Sequence, residues 1–407
     1  MNKNFYHEPH EPKRTATRCR TISSWCSCGS WLKNKKKYIF LLFVIAVLNS
    51  GIIHAQGMTV SGILDSSVQA TAGDEAGFSL GMEEYANIRF QSKIRDTAAV
   101  YGAVNLIAAT GNYAANAAKM ADIGVGSPFN STSYVYGENY IAGIELERLY
   151  FRLSGESVGF DGGLMRLPFG YGQVWKSSDF LNPSNPLKPD ARPRAILGTA
   201  FFWYPTEETK LLAFYSTPRD PLSQKGLGYF AGLSFDKHWN KASIQTLYSF
   251  ETPKKGSENG IHRAGFSLKA DLILGFVIDA LYTYNRKTET KFDGLSFSGG
   301  ADYSFFDGKL IFLAEYLYNG ENSSTAFNPK TNLLGLPNTH YLYTSLTLRF
   351  TDYTNMSAAV IIGLDETSFA PILSLNHDIF QGVTLTVSAQ RPEEDYFIFT
   401  AKLRLRF

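Results

Sequence analysis

The densest mixture of charge and backbone punctuation in the chain runs from Arg166 to Arg194, RLPFGYGQVWKSSDFLNPSNPLKPDARPR. Five basic residues (Arg166, Lys176, Lys188, Arg192, Arg194) share it with only two acids (Asp179, Asp190), a net charge of +3. Pro168 and four further prolines keep it out of helices and central strands. The chemistry on offer is electrostatic. Guanidinium and ammonium groups attract anions, most strongly where little bulk water screens them. Asn182-Pro183 and Asn185-Pro186 are turn formers, and Asp179 is of the type that caps a local turn. Motifs for bond-making chemistry are missing. His238, His262, His340 and His377 are scattered, and there is no His-Glu-x-x-His, no Gly-x-Ser-x-Gly and no phosphate-cradling loop. The three cysteines (Cys19, Cys26, Cys28) lie near the front, and Cys26 with Cys28 has no second pair to complete four metal ligands. No metal, no cofactor and no enzymatic activity are expected.

The elements that must position this segment repeat with a period of two. Ala264, Phe266, Leu268 and Ala270 oppose Arg263, Ser267 and Lys269. Leu274, Phe276, Ile278 and Ala280 oppose Asp279, and Leu342, Leu346 and Leu348 oppose Ser345, Thr347 and Arg349. Such alternation is a strand with one apolar and one polar face. The runs are about 9 to 13 residues long, what a tilted strand needs to cross the hydrocarbon of a bilayer. Aromatics gather at run ends (Tyr282 and Tyr284, Tyr303 and Phe305, Tyr316 and Tyr318), where interfacial girdles would sit. Short turns are expected at Arg95–Asp96, Gly155–Ser157, Pro205–Glu208, Lys237–Asn240, Asp271–Leu272, Phe306–Gly308, Asp352–Asn355 and His377–Gly382. Generally longer connections alternate with them, at Gln69–Glu84, Ala109–Tyr140, Pro168–Arg194, Pro218–Gly226, Thr252–Gly260, Arg286–Asp293 and Asn319–Asn338, with tighter ones at Asp365–Ser368 and Arg391–Glu394. The strands between them count to eighteen. The expectation is an all-β, transmembrane, antiparallel up-and-down barrel of about 16–18 strands.

The front of the chain points to export. Lys33, Lys35, Lys36 and Lys37 precede an eleven-residue apolar run, Tyr38 to Leu48, too short for a spanning helix. Small residues follow, and cleavage after Ala55 is expected. Residues 1–55 are therefore assigned to an N-terminal extension with a cleaved signal peptide, and 56–407 to one barrel domain. Setting aside the nine basic and two acidic residues before position 56 leaves 30 Lys and Arg against 35 Asp and Glu, so the mature part is acidic. No basic patch with interleaved aromatics suggests nucleic acid.

The last strand carries the clearest likeness to a known class. Phe397, Phe399, Ala401, Leu403, Leu405 and Phe407 share one parity, with Thr400, Lys402, Arg404 and Arg406 on the other. This ending resembles that of the outer-membrane β-barrel proteins of Gram-negative-type bacteria. The resemblance implies an outer-membrane location, surrounding lipid, periplasmic chaperones and a barrel-assembly machinery that reads Leu403, Leu405 and Phe407. The Arg166–Arg194 segment also resembles a porin-like pattern, in Arg166, Gly172, Trp175, Asp179, Asn182-Pro183, Asp190 and Arg192, though the Trp-Gly order commoner in that pattern is reversed. In such barrels a long Pro-stiffened loop either caps the mouth or folds inward as a constriction.

Parity assigns to the inner wall the basic residues Arg89, Lys93, Arg148, Arg152, Arg263, Lys269, Arg349, Lys402, Arg404 and Arg406. The acidic set is Asp161, Glu251, Asp279, Asp302 and Glu315. That excess of base implies mild anion preference, unless the charges pair across strands and only wet the wall. The leading expectation is a passive channel for small hydrophilic solutes. The alternative is a surface barrel whose 109–140 and 319–338 loops bind a partner.

Overall fold

A computed structural model describes residues 57–73, 77–111, 134–137, 139–182, 195–217, 229–253, 260–284, 294–320, 339–365, 368–393 and 396–407. The expected leader, the 109–140 and 319–338 loops for the most part, and Lys188, Asp190, Arg192 and Arg194 lie outside these residues.

The described residues form one antiparallel sheet and no helix. Its first strands are long: β1 (Met58–Gly73), β2 (Gly77–Arg95), β3 (Ala98–Gly111) and β5 (Tyr140–Ser154). A short β4 (Tyr134–Gly137) precedes β5. The next are short: β6 (Val158–Met165), β7 (Ile196–Thr206), β8 (Thr209–Ser216), β9 (Phe230–Trp239) and β10 (Ala242–Glu251). Then follow β11 (Ile261–Asp271), β12 (Gly275–Tyr284), β13 (Leu295–Phe305), β14 (Leu310–Asn319) and β15 (His340–Thr351). The circuit ends with β16 (Thr354–Gly363), β17 (Ser368–Phe380), β18 (Val383–Glu393) and β19 (Tyr396–Arg406). Strand β1 pairs with both β2 and β19, so the sheet closes on itself. Eighteen strands make the closed wall. The extra one, β4, pairs with Tyr140–Gly143 on the edge of β5 opposite β3, beyond the point where β6 stops.

Closure turns the period of two into an inside and an outside. Phe266, Leu346 and Phe399 are 41%, 44% and 51% exposed, while the neighbouring parity holds Ser267, Asp279 and Glu315 at 1% or less. The exposed apolar parity faces outward as a lipid-compatible belt. The expected short turns occur close to where the sequence places them, the one at His377–Gly382 contracting to Gln381 and Gly382 because β17 runs on to Phe380. Phe306 and Asp307 both take positive φ (53° and 52°), the mirror-image turn that matches strand twist.

One connection is corrected. Gln69–Glu84 is strand almost throughout, with only residues 74–76 undescribed between β1 and β2. Its outward positions include Ala70, Ala72 and exposed Phe78, Leu80 and Met82, while Thr71 and Ser79 face inward and share a 2.6 Å hydrogen bond. Small and hydroxyl residues diluted an alternation that pairing with β19 and β3 enforces.

The seam between β1 and β19 is held on both faces. Inside, Arg404 donates twice to Asp65, at 2.7 Å each. Outside, the Phe407 ring lies over Gly62, whose N–H donates to the Phe407 carbonyl at 2.8 Å. A Cβ at Gly62 would stand 2.5 Å from that ring and 2.7 Å from the Asn87 carbonyl oxygen, so glycine is required there.

Candidate functional site: the barrel interior

After Met165 the chain leaves the wall and turns inward. Arg166 pairs at 2.9 Å with Glu147, which also accepts from Asn87 and lies 3.3 Å from Arg148. Glu147 owes its position to a β-bulge. Ala103 faces Arg148 while Val104 faces Leu146, so Glu147 is an extra residue and two successive charges point inward. The neck of the loop is closed by its own side chains. Leu167 N–H donates to Asn182 Oδ1 at 2.8 Å, and Asn182 N–H donates to Asp179 Oδ1 at 3.1 Å.

The loop then docks on the inner wall through its backbone. Gly170 N–H donates to Gln245 at 2.7 Å, and Tyr171 and Gly172 N–H donate to Asp279 at 3.2 and 3.1 Å. Gln173, Val174 and Trp175 N–H all donate to Glu315, at 3.1, 3.1 and 2.8 Å. Ser298 donates to the Trp175 carbonyl at 2.9 Å, and the Gln173 amide donates to Asp302 at 2.7 Å. Gly170 has φ +85°, and a Cβ there would meet Asp279 Oδ2 at 2.3 Å. A loop without regular structure thus finds acceptors for five consecutive N–H groups on two wall carboxylates. Five orphan donors would otherwise have to be stripped of water.

These contacts revise the expected roles of several residues. Asp279 and Glu315 face inward as parity required, but both are 0% exposed. They hold the loop and present no charge to lumen water. Trp175, Asp179 and Asn182 are likewise buried. Burial pushes the Asp179 carboxyl up to about 8.

Apolar packing completes the seat. Leu167, Phe169, Phe180 and Leu181 of the loop pack on inward Leu212, Phe214, Leu247 and Leu281. Phe169 lies 5.5 Å from Phe214 and 6.1 Å from Phe180, ring centre to ring centre. Farther round, Trp175 meets Leu317, Tyr341, Ile361 and Ala370. Arg263 donates to Glu251 at 2.7 Å with its guanidinium over the rings of Phe180 and Phe230. Of the polar loop side chains between Arg166 and Asn182, Gln173 and Lys176 are the exposed ones. Lys176 is the described loop charge that reaches the open part of the lumen.

Other wall charges pair with neighbours. Arg152 grips Asp161 with two bonds of 2.8 and 2.7 Å, and Arg89 donates to Asn87 at 2.7 Å. Lys93, Lys269 and Arg349 are exposed near the turn end. Sequence reasoning missed Asp65, Glu147, Gln245, Ser267 and Ser298. The inward parity of Gln245, Ser267 and Ser298 was available, but nothing marked them as loop contacts. Asp65 waits on the β1–β19 register, and Glu147 on a bulge no local pattern announces.

The interior defines a porin-like β-barrel: closed, antiparallel, with an inward loop bound to one side of its wall. No family model and no curated protein matches the chain. Among solved structures it is similar to OccAB3 of Acinetobacter baumannii, with TM-score 0.54, 11% identity, and 86% of this chain and 99% of that one covered. OccAB4 of the same species gives 0.52, 11%, 87% and 99%. OccK8 (OprE) of Pseudomonas aeruginosa gives 0.52, 12%, 86% and 98%. At these identities the likeness is one of fold.

Proposed function

We propose that this protein is an outer-membrane channel for passive diffusion of small hydrophilic solutes, narrowed by the loop that starts at Arg166. The observation that carries the reading is the loop's bonding to the inner wall through Asp279 and Glu315. That attachment supports a loop that narrows the closed barrel and leaves other parts of the wall lined with polar side chains, as a water-filled passage needs. In this reading Lys176 is the selectivity residue on the obstruction. Taking up wall carboxylates beneath the loop also leaves base in excess along the passage, which favours a mild preference for anions. The channel has no catalytic role in this account. Residues 1–55 carry the export signal, residues 56–407 form the inserted barrel, and the short turns face the periplasm. Lipid contacts the outward belt, and chaperones and the assembly machinery act only during biogenesis. The test is stepwise conductance of purified protein in planar bilayers. Folded protein that inserts and gives no steps would refute the channel and leave surface binding as the remaining role.

A further inference from the structure

The registers of six neighbouring strands align one row of inward side chains: Thr347, Ser357, Ser374, Ser388, Thr400 and Gln69, from β15 round to β1. All six are uncharged hydrogen-bonding groups. Their outward neighbours include exposed Leu373, Val387 and Phe399, which fixes the row on the lumen side.

The row differs from those flanking it in how its groups are used. On the turn side, Asn376 donates to Asn355 at 3.1 Å and Thr386 donates to Asn376 at 2.7 Å. One row further, Thr384 donates to Asp378 at 2.6 Å and Arg404 grips Asp65. On the loop side the row borders Ala359, Ile372 and Ile398, with Thr71 bonded to Ser79. Within the row Thr347 and Ser357 bond each other at 2.8 Å. Ser374, Ser388 and Thr400 make no side-chain hydrogen bond among the described residues. Gln69 is 7% exposed, and its buried Oε1 has no hydrogen-bond partner among the described residues. Buried polar atoms are nearly always paired, so the Gln69 amide oxygen needs an explanation, and beside it the half-buried hydroxyls of Ser374, Ser388 and Thr400 are open to a ligand.

We infer that Gln69, Thr400, Ser388 and Ser374 form a binding row for neutral polyhydroxylated solutes, sugars or polyols; this rests on the channel reading above. Each hydroxyl both donates and accepts, as a sugar hydroxyl does, and the Gln69 amide adds an acceptor and two donors. Strand spacing of about 4.8 Å sets the pitch of the row, which lets neighbouring groups of the row engage different hydroxyls of one polyhydroxylated ligand. The charges of the adjoining turn-side row are Arg349, Lys402 and Glu83, of both signs, and the mutually paired Asp65 and Arg404 lie one row further.

The experiment uses the full protein in planar bilayers carrying KCl current, with lactose and its carboxylate counterpart lactobionate as probes. Lactose should reduce the current saturably, and lactobionate should act no more strongly. The triple variant Ser374→Ala, Ser388→Ala, Thr400→Val should leave KCl conductance unchanged and raise the half-saturating lactose concentration about tenfold or more, the scale for losing a few neutral hydrogen bonds. Should the triple variant fold poorly, Ser388→Ala alone should show the same change in smaller measure. Current that lactose never saturates, saturation that survives the triple change, or lactobionate acting at far lower concentration than lactose would each overturn the inference. Absence of conductance would strike the channel reading instead. Equilibrium binding of lactose to the folded protein, wild type against variant, then decides the row by itself.

Discussion

Two sectors of the inner wall share the same alternation and have opposite fates. On β7 to β14 the inward residues include Leu212, Phe214, Leu247 and Leu281, and they are sealed under the Arg166–Asn182 loop with Asp279 and Glu315 among them. From β15 through β19 to β1, below Ile361 and Ala370 under Trp175 and the apolar row of Ala359, Ile372 and Ile398, the inward residues toward the turn end are mostly Ser, Thr, Asn and Gln, with Asp65 and Arg404 paired. The first sector behaves as a packed protein core that happens to lie inside a barrel. The second behaves as a surface that happens to face inward. Parity decides which side of the sheet a residue occupies, whereas the loop decides whether that side is wet.

The sharpest way to break this contrast is to release the loop. Glu315→Ala removes the acceptor of three N–H groups, of which that of Trp175 is buried and costs about 1–3 kcal/mol, the part-buried two costing less. Thermal denaturation should show a large loss, and single-channel conductance should rise as the obstruction loosens. Glu315→Gln, which keeps a carbonyl oxygen, should fall between. Unchanged conductance in the alanine variant would mean that the loop does not narrow the path.

Arginine substitutions probe the same contrast at the next scale. At outward Phe266 or Leu346, arginine should cost about 2–4 kcal/mol if these lie near mid-membrane, read from urea unfolding in bilayers. Among inward residues the sectors should part. Ser267→Arg must displace Ser178, whose hydroxyl stands 3.0 Å from it, and should be badly tolerated. Thr347→Arg, half-buried in the polar sector, should fold normally. Equal tolerance at both sites would erase the distinction between a dry and a wet sector.

Lys176→Glu should move the reversal potential in a salt gradient towards cations and leave the yield of folded barrel unchanged, since the side chain is exposed. The same shift from reversing exposed Lys269 near the turn end would deprive Lys176 of its special position.

The smallest effect is on pH. With the Asp179 carboxyl raised to about 8 in the folded protein, the docked loop retains a proton that an unfolded Asp releases near pH 4. Its contribution to docking is full below about pH 4 and declines as pH rises towards 8. Conductance measured from pH 5 to 9 should therefore climb gently, and Asp179→Asn should flatten the climb.

Much of this architecture was legible because a barrel strand is a local pattern. Phe266 against Ser267, Leu346 against Thr347 and the eight short turns needed only a period of two and turn residues. The inward loop was legible as an anomaly, from its prolines and its lost alternation after Phe169. Its attachment was not. Glu315 is 140 residues from Trp175, and no local signal distinguishes a carboxylate that will bind backbone N–H groups from one that will bathe in water. Gln69–Glu84 reads as a connection because its Ala, Ser and Gly carry little contrast. Tall β1, β2, β3 and β5 and low β6 and β8 are not legible for a related reason: strand length depends on what neighbours pair, and β6 stops where its continuation is used inside.

The Asp65–Arg404 pair joins residues 339 apart in the chain. Every other neighbouring pair in the wall is local by comparison, so the contact order of the fold is concentrated in a single seam. Hairpins from β2 to β18 can zip in sequence, each closing a short loop. The last pairing must bring the two ends of a finished sheet together, and its loop-closure entropy is met only when all eleven register pairs between β1 and β19 form at once. Insertion should accordingly show a slow final phase sensitive to Gly62 and Asp65 and indifferent to the loop.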